Sequence, residues 1–184
     1  TSTVDYEPIY KEASARIQAG VVFLQAKGIR NIVLVGHGLG ANMGAYYLSS
    51  SSAETGIKAY IGIGMEKLES KPEQNILLML EKIRIPILDI FGMNDRPEVT
   101  HSAPDRIRSA KRGASSASKN KEIGKLAQSI RANRPGTNSA GFVSFRQIKI
   151  DGADRLFSQQ EDTLIKRIRG WLKRHAPKRQ VKKK

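Results

Sequence analysis

Apolar positions recur along this chain with two periods, helical and extended, and the two alternate. Ala13, Ile17, Val21 and Leu24 fall at helical spacing, which predicts a helix over residues 10–27 with Gly28 as its C-cap. Residues 31–35 (NIVLV) are a short run rich in branched aliphatics that ends at glycine, the pattern of a strand buried on both faces. A helix rich in small residues follows over 41–48, then a polar loop over 49–55, then a strand over 57–63. Ile76, Leu77, Leu80 and Ile83 mark a helix over 72–82, and residues 86–91 (PILDIF) a third strand. Pro104 opens a helix that residues 105–112 continue. Residues 142–150 alternate as a fourth strand, and Leu164, Ile165, Ile168, Trp171 and Leu172 form one face of a last helix over 159–175. The order of elements predicts an α/β fold, a mainly parallel sheet with helices on both faces.

Charge and composition change this picture only locally. The chain has 184 residues, 32 Lys plus Arg against 17 Asp plus Glu, and no cysteine. A thiolate metal site, a disulfide scaffold and a cysteine nucleophile are excluded. No apolar stretch is long enough for a transmembrane helix. The net charge of +15 is segmental. Residues 163–184 hold ten cations and no acid: Lys166, Arg167, Arg169, Lys173, Arg174, Lys178, Arg179, Lys182, Lys183 and Lys184. Residues 96–135 hold ten more. The organisation expected is one domain over 1–112 and 141–175, a flexible basic insertion over 113–140 carrying one short helix at 123–130, and a basic tail over 176–184. The tail, from Lys173 and Arg174 to Lys184, is expected to meet an anionic membrane, polymer or nucleic acid. Little aromatic interleaving argues against stacking on single-stranded bases.

The sharpest motif is the turn Gly36-His37-Gly38-Leu39-Gly40 between the first strand and a helix. A phosphate-binding loop uses glycines in this position, but the third glycine of the dinucleotide fingerprint, an acid ending the next strand and a Gly-Lys-Ser/Thr are all missing. The segment resembles the nucleophile elbow of the α/β-hydrolase superfamily, G-x-S-x-G, with Gly38 where the nucleophile stands. Residues 85–95 (IPILDIFGMND) resemble the strand and turn that carry the family's catalytic acid, which places Asp95 at the acid position. Residues 148–157 (IKIDGADRLF) resemble the last strand and the loop with the catalytic histidine, which places Arg155 at the base position. The helix ending in Gly170-Trp171-Leu172 is similar to the family's C-terminal helix. In texture the chain resembles an uncharacterised bacterial branch of the superfamily, a domain of unknown function found in envelope proteins, so the periplasm or envelope is the expected compartment. The resemblance also implies strands before the elbow, so the chain is expected to be the C-terminal part of a longer protein.

Chemistry then decides what the resemblance can mean. A triad needs a nucleophile, a base and an orienting acid. Gly38 has no side chain, and Arg155 stays protonated near neutral pH. The expectation is a hydrolase-like domain that has lost its nucleophile and base and serves in binding or scaffolding, with Asp95 a relict acid. Two alternatives remain: an ester or amide hydrolase with a non-standard centre, in which Asp95 or His37 orients water, and an electrostatic binding module. Arg155 and Asp95 are expected to form an ion pair. The room left by Gly38 is expected to admit a ligand beside His37 and Leu39. Asp89 is expected to cap a turn or pair locally. His101 is read as an exposed loop residue. Three scattered histidines without clustered carboxylates give no metal site, and no cofactor is expected.

Overall fold

The computed structural model describes residues 4–51, 55–68, 71–114 and 144–175. The expected 123–130 helix and the 176–184 tail lie outside the described residues. Helix α1 (Glu7–Ala26) starts two residues past Asp5, whose Oδ1 accepts the Glu7 amide at 2.9 Å. It ends where Gly28 turns left-handed at φ +78°, and the Ile29 amide reaches back to the Leu24 carbonyl at 3.0 Å. Lys27 is the C-cap, and Gly28, expected in that role, is the left-handed residue just past it. Strand β1 (Ile32–His37) leads into α2 (Leu39–Ser50), which runs two residues into the expected polar loop. Strand β2 (Ile57–Ile63) has the predicted bounds.

The next helix is shorter than its apolar stripe. A 3₁₀ turn (Pro72–Gln74) precedes α3 (Ile76–Lys82), and Asn75 separates them in an extended conformation. Its side chain accepts the Leu77 amide at 2.9 Å, an N-cap that resets the helix. Strand β3 (Ile87–Gly92) is followed by the single turn α4 (Pro97–Thr100) and by α5 (103–114). Residues 113 and 114 thus belong to a helix and not to the insertion. Strand β4 (Phe145–Ile150) and helix α6 (Glu161–His175) complete the described chain.

The four strands are all parallel in the order β1-β2-β3-β4. Side chains alternate across the sheet. Tyr60 and Ile87 face α1, α2 and α3, in a core with Tyr10, Ala41, Ala45, Met79 and Leu80. Ile61, Ile63, Leu88, Ile90 and Ile150 face α6, in a core with Phe157 and Trp171. Two expectations about burial fail. Strand β1 is not covered on both faces: it pairs with β2 alone among the described strands, and Val35 is 53% exposed because α6 covers the sheet nearer β3 and β4. On α6, Ile165 lies at the margin of the apolar stripe and is 49% exposed.

Asp89 does not pair locally. It lies fully buried in β3 and accepts Arg106 Nε from α5 at 2.8 Å, 17 residues away. Arg106 Nη1 donates to the Val99 carbonyl at 2.7 Å and to Ser102 Oγ at 2.6 Å, and its guanidinium lies over the Phe91 ring. Gln147 of β4 donates to Asp89 Oδ2 at 2.7 Å. A buried charge pair is tolerable when further hydrogen bonds support it, and here Nε, Nη1 and both carboxylate oxygens have partners. The network pins α5 to the middle of the sheet.

Candidate functional site

Parallel strands end at one edge, so the loops that leave β1, β2, β3 and β4 gather there. They bring together His37 and Gly38, Gly64 to Glu66, Asp95 and Arg96, and the segment through Arg155. Gly38 has φ +55° and ψ −125°, a backbone that side-chain-bearing residues adopt at a cost. Its amide donates to the Ile63 carbonyl at 2.8 Å, which ties the turn to the end of β2. The flanking glycines differ. A Cβ on Gly36 would come within 2.5 Å of the Gly40 carbonyl oxygen, so the strand and helix can approach only with glycine there. A Cβ on Gly40 would meet nothing within 4 Å.

The space above Gly38 is occupied. A Cβ at that position would lie 2.7 Å from Arg155 Nη2 and 3.4 Å from Glu66 Oε1. The room expected for a ligand is filled by the Arg155 guanidinium. Its partner is not Asp95: Arg155 Nη2 sits 3.5 Å from Glu66 Oε1, and Arg96 Nη2 binds that same oxygen. One buried carboxylate therefore holds two arginines whose side chains are 39% and 45% exposed. Glu66 is placed by α2, since Asn42 Nδ2 donates to the Glu66 carbonyl at 2.7 Å and Asn42 Oδ1 accepts the Glu66 amide at 3.1 Å. Tyr10 of α1 is also fully buried, and burial, chiefly, with the charge of Glu66 adding, raises its phenol to about 12.

Asp95 lies at the crest formed by these loops, in the one that leaves β3, and is nearly buried. Oδ1 accepts the Arg96 amide at 2.7 Å, while Oδ2 is buried without a hydrogen-bond partner. It lies 3.0 Å from where a Cβ on Gly64 would be. His37 is exposed, and its Nε2 lies 3.0 Å from the Arg155 carbonyl oxygen. A carbonyl only accepts, so this nitrogen carries the proton. The contact fixes the Arg155 loop over the elbow. Leu39 packs partly buried against the α1–α2 core. His101 is exposed, in the turn before α5, beside a small pocket with Lys67, Glu98 and Asp105. No group of metal-binding side chains occurs among the described residues. No described helix is long and apolar enough to cross a membrane.

The arrangement can hold charge and buries Gly38. It presents no nucleophile at position 38 and no base at position 155. Glu66, Arg96 and Asn42 were not singled out from sequence. The available signal for Glu66 was positional: an acid three residues past the end of a parallel strand, at the edge where such sheets place their sites.

Comparison with known proteins places the fold. The esterase domain of a Rhodothermus marinus protein superposes with a TM-score of 0.56 at 15% identity, over 88% of this chain and 68% of that one. MGS-MChE2, an α/β hydrolase enzyme from a sediment metagenome of the lagoon of Mar Chica, Morocco, gives 0.56 at 14% identity, over 94% of this chain and 73% of that one. The acylaminoacyl peptidase of Pyrococcus horikoshii gives 0.56 at 11% identity, over 88% of this chain but only 27% of the peptidase. At such identities the likeness is one of fold, and the fold is that of the α/β hydrolases. The sequence has no match among functionally curated proteins. A family model described as "Protein of unknown function (DUF3530)" matches residues 6–120, which include the elbow, Glu66, Asp95 and Arg96. With more than half its length matched, and with an α/β-hydrolase sheet and elbow, the chain belongs to the DUF3530 family.

Proposed function

We propose that this chain is a non-catalytic α/β-hydrolase-like domain that serves in binding or scaffolding. The observation that carries the reading is the Arg155 guanidinium, 2.7 Å from where a side chain at position 38 would begin and backed by Glu66. Acyl transfer at an elbow needs a nucleophile and a neighbouring group that takes its proton. Here the nucleophile position is glycine, and the group above it is a permanent cation. Glu66 favours the closed arrangement, since displacing Arg155 would cost a charge-assisted contact to a buried carboxylate. Asp95 is then a relict that holds the Arg96 amide.

The test is hydrolysis of 4-nitrophenyl acetate and butyrate by the full chain, beside Asp95→Ala and Arg155→Ala. The expected rate is the buffer rate for all three. Turnover by the unaltered chain that disappears in Asp95→Ala would refute the reading. It would favour the alternative, an ester or amide hydrolase in which Asp95 orients water. That alternative draws its support from the unpartnered Asp95 Oδ2.

A further inference from the structure

The crest is closed by its own side chains, but α6 offers a different surface. Its apolar residues, Leu164, Ile168, Trp171 and Leu172, are committed to the core under the sheet. At about 100° per residue, the opposite arc carries Lys166, Arg167, Arg169, Lys173 and Arg174, all exposed. They span about 160° of the helix and about 12 Å of its length. Gly170 lies in the middle of this arc and adds no side chain. None of the five has an acidic partner among the described residues. The helix's acids, Glu161 and Asp162, are confined to its first turn, where Asp162 marks the N-terminal end of the same arc. The cations toward its C-terminus also complement the helix dipole, which keeps them in place at little cost.

One exposed aliphatic side chain accompanies these charges. Ile165, 49% exposed, lies on the flank of the arc beside Arg169. The phosphate backbone of a duplex offers charge and no acyl layer for it to enter. Between residues 166 and 174 the arc also carries no amide, hydroxyl or aromatic side chain to read or stack on bases. An anionic bilayer offers both a layer of negative headgroups and an acyl boundary beneath it.

We propose that the outer face of α6, Lys166, Arg167, Arg169, Lys173 and Arg174 with Ile165, docks on a membrane surface rich in anionic phospholipid. The contact is peripheral. The only tryptophan is in the core, so attachment is electrostatic with a shallow aliphatic touch. The inference goes beyond the proposed function and does not depend on whether the crest is inactive.

The test is co-sedimentation of the full chain with vesicles of phosphatidylcholine containing 30% phosphatidylglycerol, beside vesicles of phosphatidylcholine alone, over a salt series. The variants are the triple Lys166→Gln/Arg169→Gln/Lys173→Gln, Ile165→Ser, and a chain ending at residue 175. Binding is expected only with phosphatidylglycerol and is expected to fall with salt. The triple variant should weaken it on the order of 100-fold, about fivefold for each charge removed. Ile165→Ser should weaken it several-fold at fixed salt, and the shortened chain should retain measurable binding through α6. All altered residues are exposed, and unchanged circular dichroism shows that each variant is folded. Equal binding to both vesicle types overturns the proposal. So does a triple variant that binds like the unaltered chain, which would assign the contact to residues past 175. Tight, salt-sensitive binding to a 20-base-pair DNA duplex without vesicle binding also overturns it.

Discussion

Replacing Arg106 by Met tests whether the buried Asp89–Arg106 pair holds α5 to the sheet. Methionine keeps most of the side-chain volume over Phe91 and removes the charge and all its donors. Asp89 then keeps only Gln147 Nε2, at 2.7 Å. The Val99 carbonyl and Ser102 Oγ lose their Arg106 donor. Both partners are fully buried, so breaking the pair should cost about 3–5 kcal/mol. For a chain of this length that lowers Tm by roughly 6–20 °C, at about 2–4 °C per kcal/mol. Thermal melts followed by circular dichroism measure the deficit. Glu12→Ala, which breaks the exposed Arg16–Glu12 pair at 2.5 Å, serves as control and should leave Tm unchanged. A deficit for Arg106→Met as small as the control's would refute the reasoning.

Further outcomes follow from the elbow and the last helix. Gly36→Ala should destabilise by more than about 2 kcal/mol, because its Cβ meets Gly40 and Ala41 backbone, whereas Gly40→Ala should be neutral or slightly stabilising. Urea unfolding compares the two, and equal effects would contradict the close strand–helix approach. Gly38→Ser should cost about 1–3 kcal/mol from backbone strain and gain no esterase activity, since its side chain points at Arg155. Adding Arg155→His is the combination to assay for regained turnover, because Asp95 Oδ2 is without a partner to hold a histidine. His175 stacks on Trp171 with centroids 4.5 Å apart, and burial, then Arg174, lowers its pKa below the ordinary 6.5. The fluorescence of this single tryptophan should therefore drop on acidification with a midpoint below 6.5, and a midpoint at or above that value would contradict the stack.

Local pattern determined most of the fold. Alternating helical and extended periods placed four parallel strands and their helices, and β2 fell on its predicted bounds, because periodicity reports which side of an element is buried. The elbow was legible for the same reason: a strand that meets a helix through closely spaced glycines is a local event. What the sequence left open depends on contacts between distant segments. Exposure of β1 depends on which face α6 covers. Asp89 finds Arg106 only because α5 folds back across β3. At the crest, the residues aligned by motif were Gly38, Asp95 and Arg155, and sequence order paired the last two. The folded chain instead gives Arg155 to Glu66, which Asn42 fixes from α2 and Arg96 shares. A charged side chain settles on the partner whose burial and hydrogen bonds are already in place, and only the tertiary structure decides which carboxylate that is.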